Sequence, residues 1–128
     1  MGALGVVLGA FGAHALRPIL PLQVMTIYET AVRYHLVHSV ALLVTAIAMG
    51  VYPGYRRRLA WIAGLYVAGI VLFSGSLYTI CLTDQRWMGI VTPVGGVLWV
   101  AAWAGWAVVF RRPDGPARGR ARSVQKER

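Results

Sequence analysis

The chain has 128 residues, of which 58% are hydrophobic and 13% are charged, and its formal net charge is +9. Soluble domains carry about 25% charged residues, so this composition favours a membrane protein over a water-soluble one. The arginines cluster outside the long apolar segments, as loop charges of membrane proteins do, which argues against nucleic acid as a partner. A single cysteine, Cys81, excludes an internal disulfide.

Four apolar segments predict four transmembrane helices. The first, at residues 1–16, is uncharged and as a helix reaches only about 22 Å, short of the roughly 30 Å hydrocarbon core. Pro18 and Pro21 then predict a turn and a short interfacial helix leading into the second span. The second, third and fourth spans are predicted at residues 29–49, 59–82 and 90–110. The predicted fold is an all-α integral membrane domain over residues 1–110, a four-transmembrane-helix bundle.

The basic residues predict the orientation of this bundle. From Arg111 the chain changes to Arg, Gly, Pro, Lys and Glu, which predicts a disordered basic tail over residues 111–128. This tail and the loop at 56–58 hold ten of the thirteen Lys and Arg residues, and four spans place them on one side. The positive-inside rule makes that side cytoplasmic, with both termini there and the tail near anionic lipid. We therefore expect a multi-pass membrane protein with this orientation.

This topology gathers the polar side chains of the four spans at the non-cytoplasmic end. The candidate polar cluster contains His14, Glu29, Thr30, Arg33, Tyr34, His38, Ser74, Ser76, Tyr78 and Thr92. Glu29 and Arg33 have the spacing and order of a local ion pair on one helix face, which would lower the cost of placing both in the membrane. The alternative is an anion or lipid-headgroup site around Arg33. Tyr28, Tyr34 and His35 are expected at the membrane interface.

His38 lies about two and a half turns inside the second span, too deep to reach water by snorkelling. Three interpretations stay open for it: a hydrogen bond to a hydroxyl such as Ser74 or Ser76, a proton relay with His14, or ligation of a metal or haem. Two imidazoles on different helices of a bundle suit axial ligation of haem iron. Haem therefore stays open as a cofactor of this pair, and the sequence predicts no dedicated metal site.

Small residues recur at intervals of four in two of the spans. This spacing lines them along one helix face and lets a neighbouring backbone approach closely. The predicted helix-packing residues are Gly5, Gly9 and Ala13 in the first span and Ala60, Gly64 and Ala68 in the third. In the fourth span, Trp99, Trp103 and Trp106 form a stripe that is typical of packing against lipid or protein.

Four ordered motifs resemble a known family. They are GAFGAHAL at 9–16, TAVRYHLVHSVALL at 30–43, FSGSLY at 73–78 and GIVTPVGG at 89–96. In this order they resemble the domain-of-unknown-function 423 family, which includes the eukaryotic transmembrane protein 256, over roughly residues 1–110. The resemblance implies a small four-span, multi-pass protein of the bacterial inner membrane, with organellar relatives. Members of the family generally have several more residues before the first motif. No reaction is assigned to the family, so the resemblance implies no catalytic residues.

The sequence contains no P-loop, glycine fingerprint, HExxH motif, serine elbow or paired carboxylates, and it has only four acidic residues. This favours a non-enzymatic role as a structural or accessory subunit of a larger membrane complex, with membrane lipid and a protein partner or a second copy as its contacts. Two other functions stay open. One is a redox protein that binds haem, a metal or a quinone through His14 and His38, and the other is a small transporter or proton pathway.

Overall fold

A computed structural model describes residues 1–111, and all regular elements in this range are helical. The five α-helices are α1 (Gly2–Phe11), α2 (Leu22–Val51), α3 (Arg56–Gly69), α4 (Gly75–Thr83) and α5 (Thr92–Arg111). A π-helical turn at Gly12–Leu16 extends α1, and a second at Ile70–Ser74 joins α3 to α4. Short 3₁₀ turns at Pro53–Tyr55 and Arg86–Ile90 precede α3 and α5. Apart from Arg111, the predicted tail lies outside the described residues.

Three helical segments are long and apolar enough to cross a membrane: Leu22–Val51, Pro53–Thr83 and Arg86–Arg111. The apolar helix at Gly2–Leu16 is shorter. The predicted all-helical class is therefore confirmed. The number of crossings stays a prediction, because the first segment falls short of the hydrocarbon thickness.

The second helix begins earlier than the predicted span. Pro21 has an extended backbone with ψ of 146°, and α2 runs without interruption for 30 residues from Leu22, about 45 Å. The separate interfacial helix expected after Pro21 is therefore not formed in the described chain. The proline suits its place because the first amides of a helix have no partner inside the helix.

The helices form a bundle around α2. The first helix runs antiparallel to the first half of α2, with Gly2 beside Ser39 and Gly12 beside Tyr28. The rod of α3 and α4 packs along α2, and α5 packs against α3. One hydrophobic core surrounds Tyr66 and Trp99 between α2, α3 and α5. A smaller core lies at the other end, and it contains Leu16, Met25, Tyr28 and Cys81.

The π-helical turn at Ile70–Ser74 determines which side chains of the α3–α4 rod face α2. In a regular helix Ser74 and Tyr78 would lie about 80° and 120° around the axis from Tyr66. A π turn absorbs one extra residue, which rotates the following residues back by roughly 100°. As a result, Tyr66, Ser74 and Tyr78 all contact residues of α2.

The two predicted small-residue faces differ in their surroundings. In α1, Gly5 lies against Leu36 and Gly9 against Val32. Gly12 contacts Tyr28 in place of the predicted Ala13, which is exposed. We call Gly5, Gly9 and Gly12 the closed face.

The predicted face on α3 has no internal neighbour. Ala60 and Gly64 are exposed, Ala68 is half-buried, and a methyl group added to Gly64 would meet nothing within 4 Å in the described chain. We call Ala60, Gly64 and Ala68 the open face.

Candidate functional site

Serine and threonine hydroxyls join the helices at the polar end of the bundle. Ser74 Oγ donates a 2.9 Å hydrogen bond to the Ala31 carbonyl of α2. Ser76 Oγ donates to the Phe73 carbonyl at 2.8 Å and lies 2.7 Å from Thr92 Oγ1 on α5. A serine hydroxyl has one proton, so Thr92 donates to Ser76. The hydroxyls of Ser74, Ser76 and Thr92, all predicted members of the polar cluster, therefore bond to one another or to backbone carbonyls.

A second set of polar side chains lies where α1 covers α2. The Tyr78 hydroxyl is 3.4 Å from His35 Nδ1, and the Tyr28 hydroxyl donates a 2.9 Å bond to the Leu8 carbonyl. His35 and Tyr28 are only 2% and 1% exposed, so they lack the contact with water that was expected of them. Both are buried because the glycines of the closed face bring α1 close to α2. Tyr34, by contrast, is 44% exposed.

His38 is buried between α2 and α5. Its Nδ1 lies 2.8 Å from the Tyr34 carbonyl, which only accepts, so Nδ1 carries a proton and donates this bond. The imidazole stacks on Trp99 with ring centroids 3.6 Å apart and an angle of 1° between the planes. The predicted hydrogen bond from His38 to Ser74 or Ser76 is not formed, because those hydroxyls bond elsewhere.

Trp99, a member of the predicted tryptophan stripe, is held in its position against His38 by two contacts with α3. Its Nε1 donates to the Tyr66 carbonyl at 3.3 Å. The indole packs directly on Gly69, where any side chain would collide with it. Of the other two members, Trp103 is 52% exposed and Trp106 Nε1 donates to Thr45 Oγ1 at 3.1 Å. The stripe therefore packs partly against protein and partly faces the surroundings of the bundle.

His14 does not join His38. It is exposed, and it follows Gly12, which lies at the level of Met25 and Tyr28. From Met25 to His38 the helix rises roughly 20 Å, too far for two axial ligands of one haem iron or for direct proton transfer. The interpretations that paired His14 with His38, as haem ligands or as a proton relay, are therefore wrong. Within residues 1–111, no three His, Cys, Asp or Glu side chains are placed to share a metal ion.

Glu29 and Arg33 lie exposed on the outer surface of α2. In the described part of the chain the one ion pair joins Asp84 and Arg86 at 3.2 Å, so the predicted pair of Glu29 and Arg33 is not formed. Both side chains border a groove of about 290 Å³ beside Gly9 and Ala13 of α1. Thr30 Oγ1 donates to a carbonyl of its own helix and joins no other helix.

Sequence reasoning missed two buried hydroxyls. Tyr66 is 0% and Ser39 is 7% exposed, and neither hydroxyl has a hydrogen-bond partner among the described residues. Tyr66 could have been identified from the sequence, because it is a tyrosine in the middle of an apolar span. Ser39 had a weaker signal, because serine is common in membrane helices.

Comparison with known proteins agrees with the resemblance carried by the motifs. The family model described as protein of unknown function (DUF423) matches residues 8–96. The inner membrane protein YgdD of Escherichia coli is 40% identical over 107 residues, 80% of this chain and 77% of that protein. YwdK of Bacillus subtilis is 40% identical over 102 residues, covering 78% and 80% of the two chains.

A membrane protein of Staphylococcus epidermidis is 40% identical over 107 residues, which cover 80% of this chain and 85% of the relative. All three relatives carry the name UPF0382. No solved structure matches the chain. The family model covers well over half of the sequence, and the relatives are similar along most of their length. The chain therefore belongs to the DUF423 family of membrane proteins, whose relatives are named UPF0382.

Proposed function

We propose that this protein is a small accessory subunit that docks to a partner in the membrane through the open face of α3. The observation that carries the proposal is the free space at Gly64, where a neighbouring helix backbone would find no side chain in its way. Helices in lipid associate through small residues that allow such close approach. Trp61, which is 72% exposed, borders this face and would add a large aromatic contact.

The internal hydrogen bonds support a structural role. Ser74 bonds to a backbone carbonyl of α2, and Trp106 bonds to Thr45 across two helices. Ser76 and Thr92 join α4 to α5. These polar groups hold the bundle together and so present a fixed outer surface to a partner. The partner we infer is a transmembrane helix with a small-residue face of its own, from a second copy or from a larger complex.

Native mass measurement after extraction in a mild detergent tests the docking role. We expect a species heavier than the 13.9 kDa chain, and we expect Gly64→Leu to reduce its abundance at least tenfold. The matched control is Ala104→Leu, which adds the same side chain at an exposed position of α5. A wild-type protein that is strictly monomeric and without partners, or equal effects of the two substitutions, would contradict the proposal.

We also infer that the chain crosses the membrane four times with both termini in the cytoplasm. Phe110 packs against Tyr52 and Tyr55, so Arg111 and the arginines at 56–58 lie at the same end of the bundle. The positive-inside rule favours the cytoplasm for that end. The first helix packs antiparallel along the first half of α2, which supports a fourth apolar segment within the bilayer, and residues ahead of Met1 would complete its crossing.

Reporter fusions test this topology. A fluorescent protein joined after the C-terminus or before Met1 should fluoresce in the cytoplasm, and alkaline phosphatase inserted at Asp84 should be active in the periplasm. A periplasmic N-terminus with a cytoplasmic C-terminus would indicate an odd number of crossings and would overturn the four-span proposal.

A further inference from the structure

Two adjoining grooves lie on the outer surface of α2, and both are lined by Met25 and Glu29. One, of about 300 Å³, follows the first turns of α2, and the other, of about 290 Å³, lies between α1 and α2. Their other lining residues include Arg17 and Thr26 in the first groove and Gly9, Val32, Arg33 and Leu36 in the second. We call the two together the joint groove. Because the two grooves share residues, one elongated molecule fits along both.

The joint groove changes from polar to apolar along α2. Its outer end, near the start of the helix, carries Arg17 and Thr26, and both are exposed. Leu36 lies seven residues beyond Glu29, about 10 Å further along the helix axis. The second span is predicted to begin at residue 29, so the charged part lies at the edge of the hydrocarbon core and the apolar part lies inside it. A phospholipid has the same distribution of polar and apolar groups.

The central charges of the joint groove have no ion-pair partner within the described chain. Glu29 and Arg33 lie one helical turn apart, yet no ion pair joins them. The other carboxylate in residues 1–111 belongs to Asp84, which pairs with Arg86. Charges that enter a membrane are costly unless they are paired. A ligand that carries both an anion and a cation would therefore stabilise Arg33 and Glu29 together.

The order of the lining residues matches the order of groups in a zwitterionic phospholipid. From the inside of the bundle outwards, Leu36 is followed by Arg33 and then by Glu29. In such a lipid the acyl chains are followed by the phosphate and then by the amine. Arginine binds phosphate through charge-assisted hydrogen bonds, and its long side chain extends from the core towards the interface. Glu29 then lies at the level of the amine.

The type of amine follows from the hydrogen-bond donors that a carboxylate needs. A primary ammonium has N–H groups that donate to a carboxylate, whereas a choline group has none and is typically bound by aromatic faces. The joint groove is not an aromatic site, because Tyr28, the one aromatic residue among its described lining, is 1% exposed and bonds to the Leu8 carbonyl. An anionic headgroup without an amine would bring its negative charge towards the carboxylate of Glu29.

We propose that the joint groove binds a phospholipid whose headgroup carries a primary ammonium, the class of phosphatidylethanolamine. Glu29 accepts hydrogen bonds from the ammonium, and Arg33 donates to the phosphate. An acyl chain lies between α1 and α2, along Gly9, Val32 and Leu36. This site is independent of the open face of α3.

Competition between lipids tests the proposal on the purified full-length protein. The protein in detergent is mixed with equal amounts of phosphatidylethanolamine, phosphatidylcholine and phosphatidylglycerol with identical acyl chains, and native mass spectrometry measures the lipid that the protein retains. We expect phosphatidylethanolamine to be retained roughly three- to tenfold more than either of the other lipids, the effect of one exposed, charge-assisted contact. Equal retention of the three lipids, or a preference for phosphatidylglycerol, would overturn the proposal.

Substitutions at exposed positions locate the contact. Glu29→Gln should remove the preference for phosphatidylethanolamine over phosphatidylcholine, and Arg33→Gln should lower the retention of all three lipids. Ala13→Phe, which fills the groove, should also lower the retention of all three. Asp84→Asn is the matched control, because it neutralises the other described carboxylate, which does not line the groove. All four variants should keep the melting temperature of the wild type.

The variants also separate this site from other uses of the same surface. A preference that survives Glu29→Gln, or that Asp84→Asn removes equally, would overturn the proposal. Gly64→Leu should leave lipid retention unchanged, which separates this test from that of the docking role. Loss of a larger complex on Ala13→Phe, from a wild type without lipid preference, would show instead that a partner helix occupies the groove.

Discussion

The closed face of α1 and the open face of α3 have similar small-residue spacing in the sequence and opposite environments in the structure. Gly5 and Gly9 lie under Leu36 and Val32 of α2, whereas Gly64 has no neighbour within 4 Å. The spacing therefore indicates a surface suited to close helix packing. It does not indicate whether the neighbouring helix belongs to the same chain.

Connectivity explains the difference. A short turn after Leu16 folds α1 back on α2, so the partner of the closed face is the next helix in the chain. The third helix already packs on α2 and α5 through Ile62, Tyr66 and Gly69, on the side away from Gly64. A helix at the edge of a small bundle keeps one side free. Substitutions inside the bundle should therefore cost stability, and substitutions on the open face should not.

The largest expected effect is that of Gly12→Leu on the closed face. A side chain at Gly12 collides with the ring of Tyr28, so it displaces either this ring or α1, and it weakens the Tyr28 bond to the Leu8 carbonyl. We expect a loss of about 3 kcal/mol in the free energy of unfolding, measured by denaturant titration in detergent. Gly64→Leu should change the free energy of the monomer by less than about 0.5 kcal/mol. Similar losses in both variants would remove the distinction between the two faces.

A smaller effect is expected for Ser76→Ala, which tests the internal hydrogen bonds. The substitution leaves the Thr92 hydroxyl without its partner on α4. Hydrogen bonds between membrane helices contribute about 0.6 kcal/mol on average and at most about 1.7 kcal/mol, so we expect a loss in this range. Thr83→Ala is the control, because that exposed hydroxyl bonds only to the Thr79 carbonyl of its own helix. If the control costs as much as Ser76→Ala, the bond between Ser76 and Thr92 does not stabilise the bundle.

The smallest effect is expected for Glu29→Gln on the outer surface. Glu29 and Arg33 are exposed and unpaired with each other, so neutralising the carboxylate should change the free energy of unfolding by less than about 0.5 kcal/mol. A double-mutant cycle with Arg33→Gln measures any coupling between the two side chains. A coupling above about 1 kcal/mol would show that the ion pair forms in the membrane.

The helical class and the approximate helix positions could be predicted from the sequence, because apolar length and flanking arginines are local signals. The π-helical turn at Ile70–Ser74 could not, since no proline or other local feature marks it. It changes which residues of α3 and α4 face α2, so side-chain contacts across the bundle were not predictable from helical periodicity. The continuity of α2 from Leu22 was not predicted, because Pro21 suits the first turn of either an interfacial or a membrane helix.

The candidate polar cluster could be predicted only as a collection of residue types at one end of the bundle. Ser76 and Thr92 do meet, but His14 lies about half the length of α2 away from His38. His35 was expected near water because its helix position is shallow, and it is buried because α1 covers it. Burial of this kind depends on contacts between helices, which the periodicity of one helix does not contain.

Photo-crosslinking in native membranes tests docking through the open face most directly. Benzoylphenylalanine in place of Trp61 puts a photoreactive ring beside Gly64, and the same residue in place of Val97 puts it on the lipid-facing side of α5. We predict a discrete adduct of fixed mass from position 61, lost when Gly64→Leu is added, and none from position 97. The absence of an adduct at position 61, or the same adducts at both positions, would contradict the role of this face in docking.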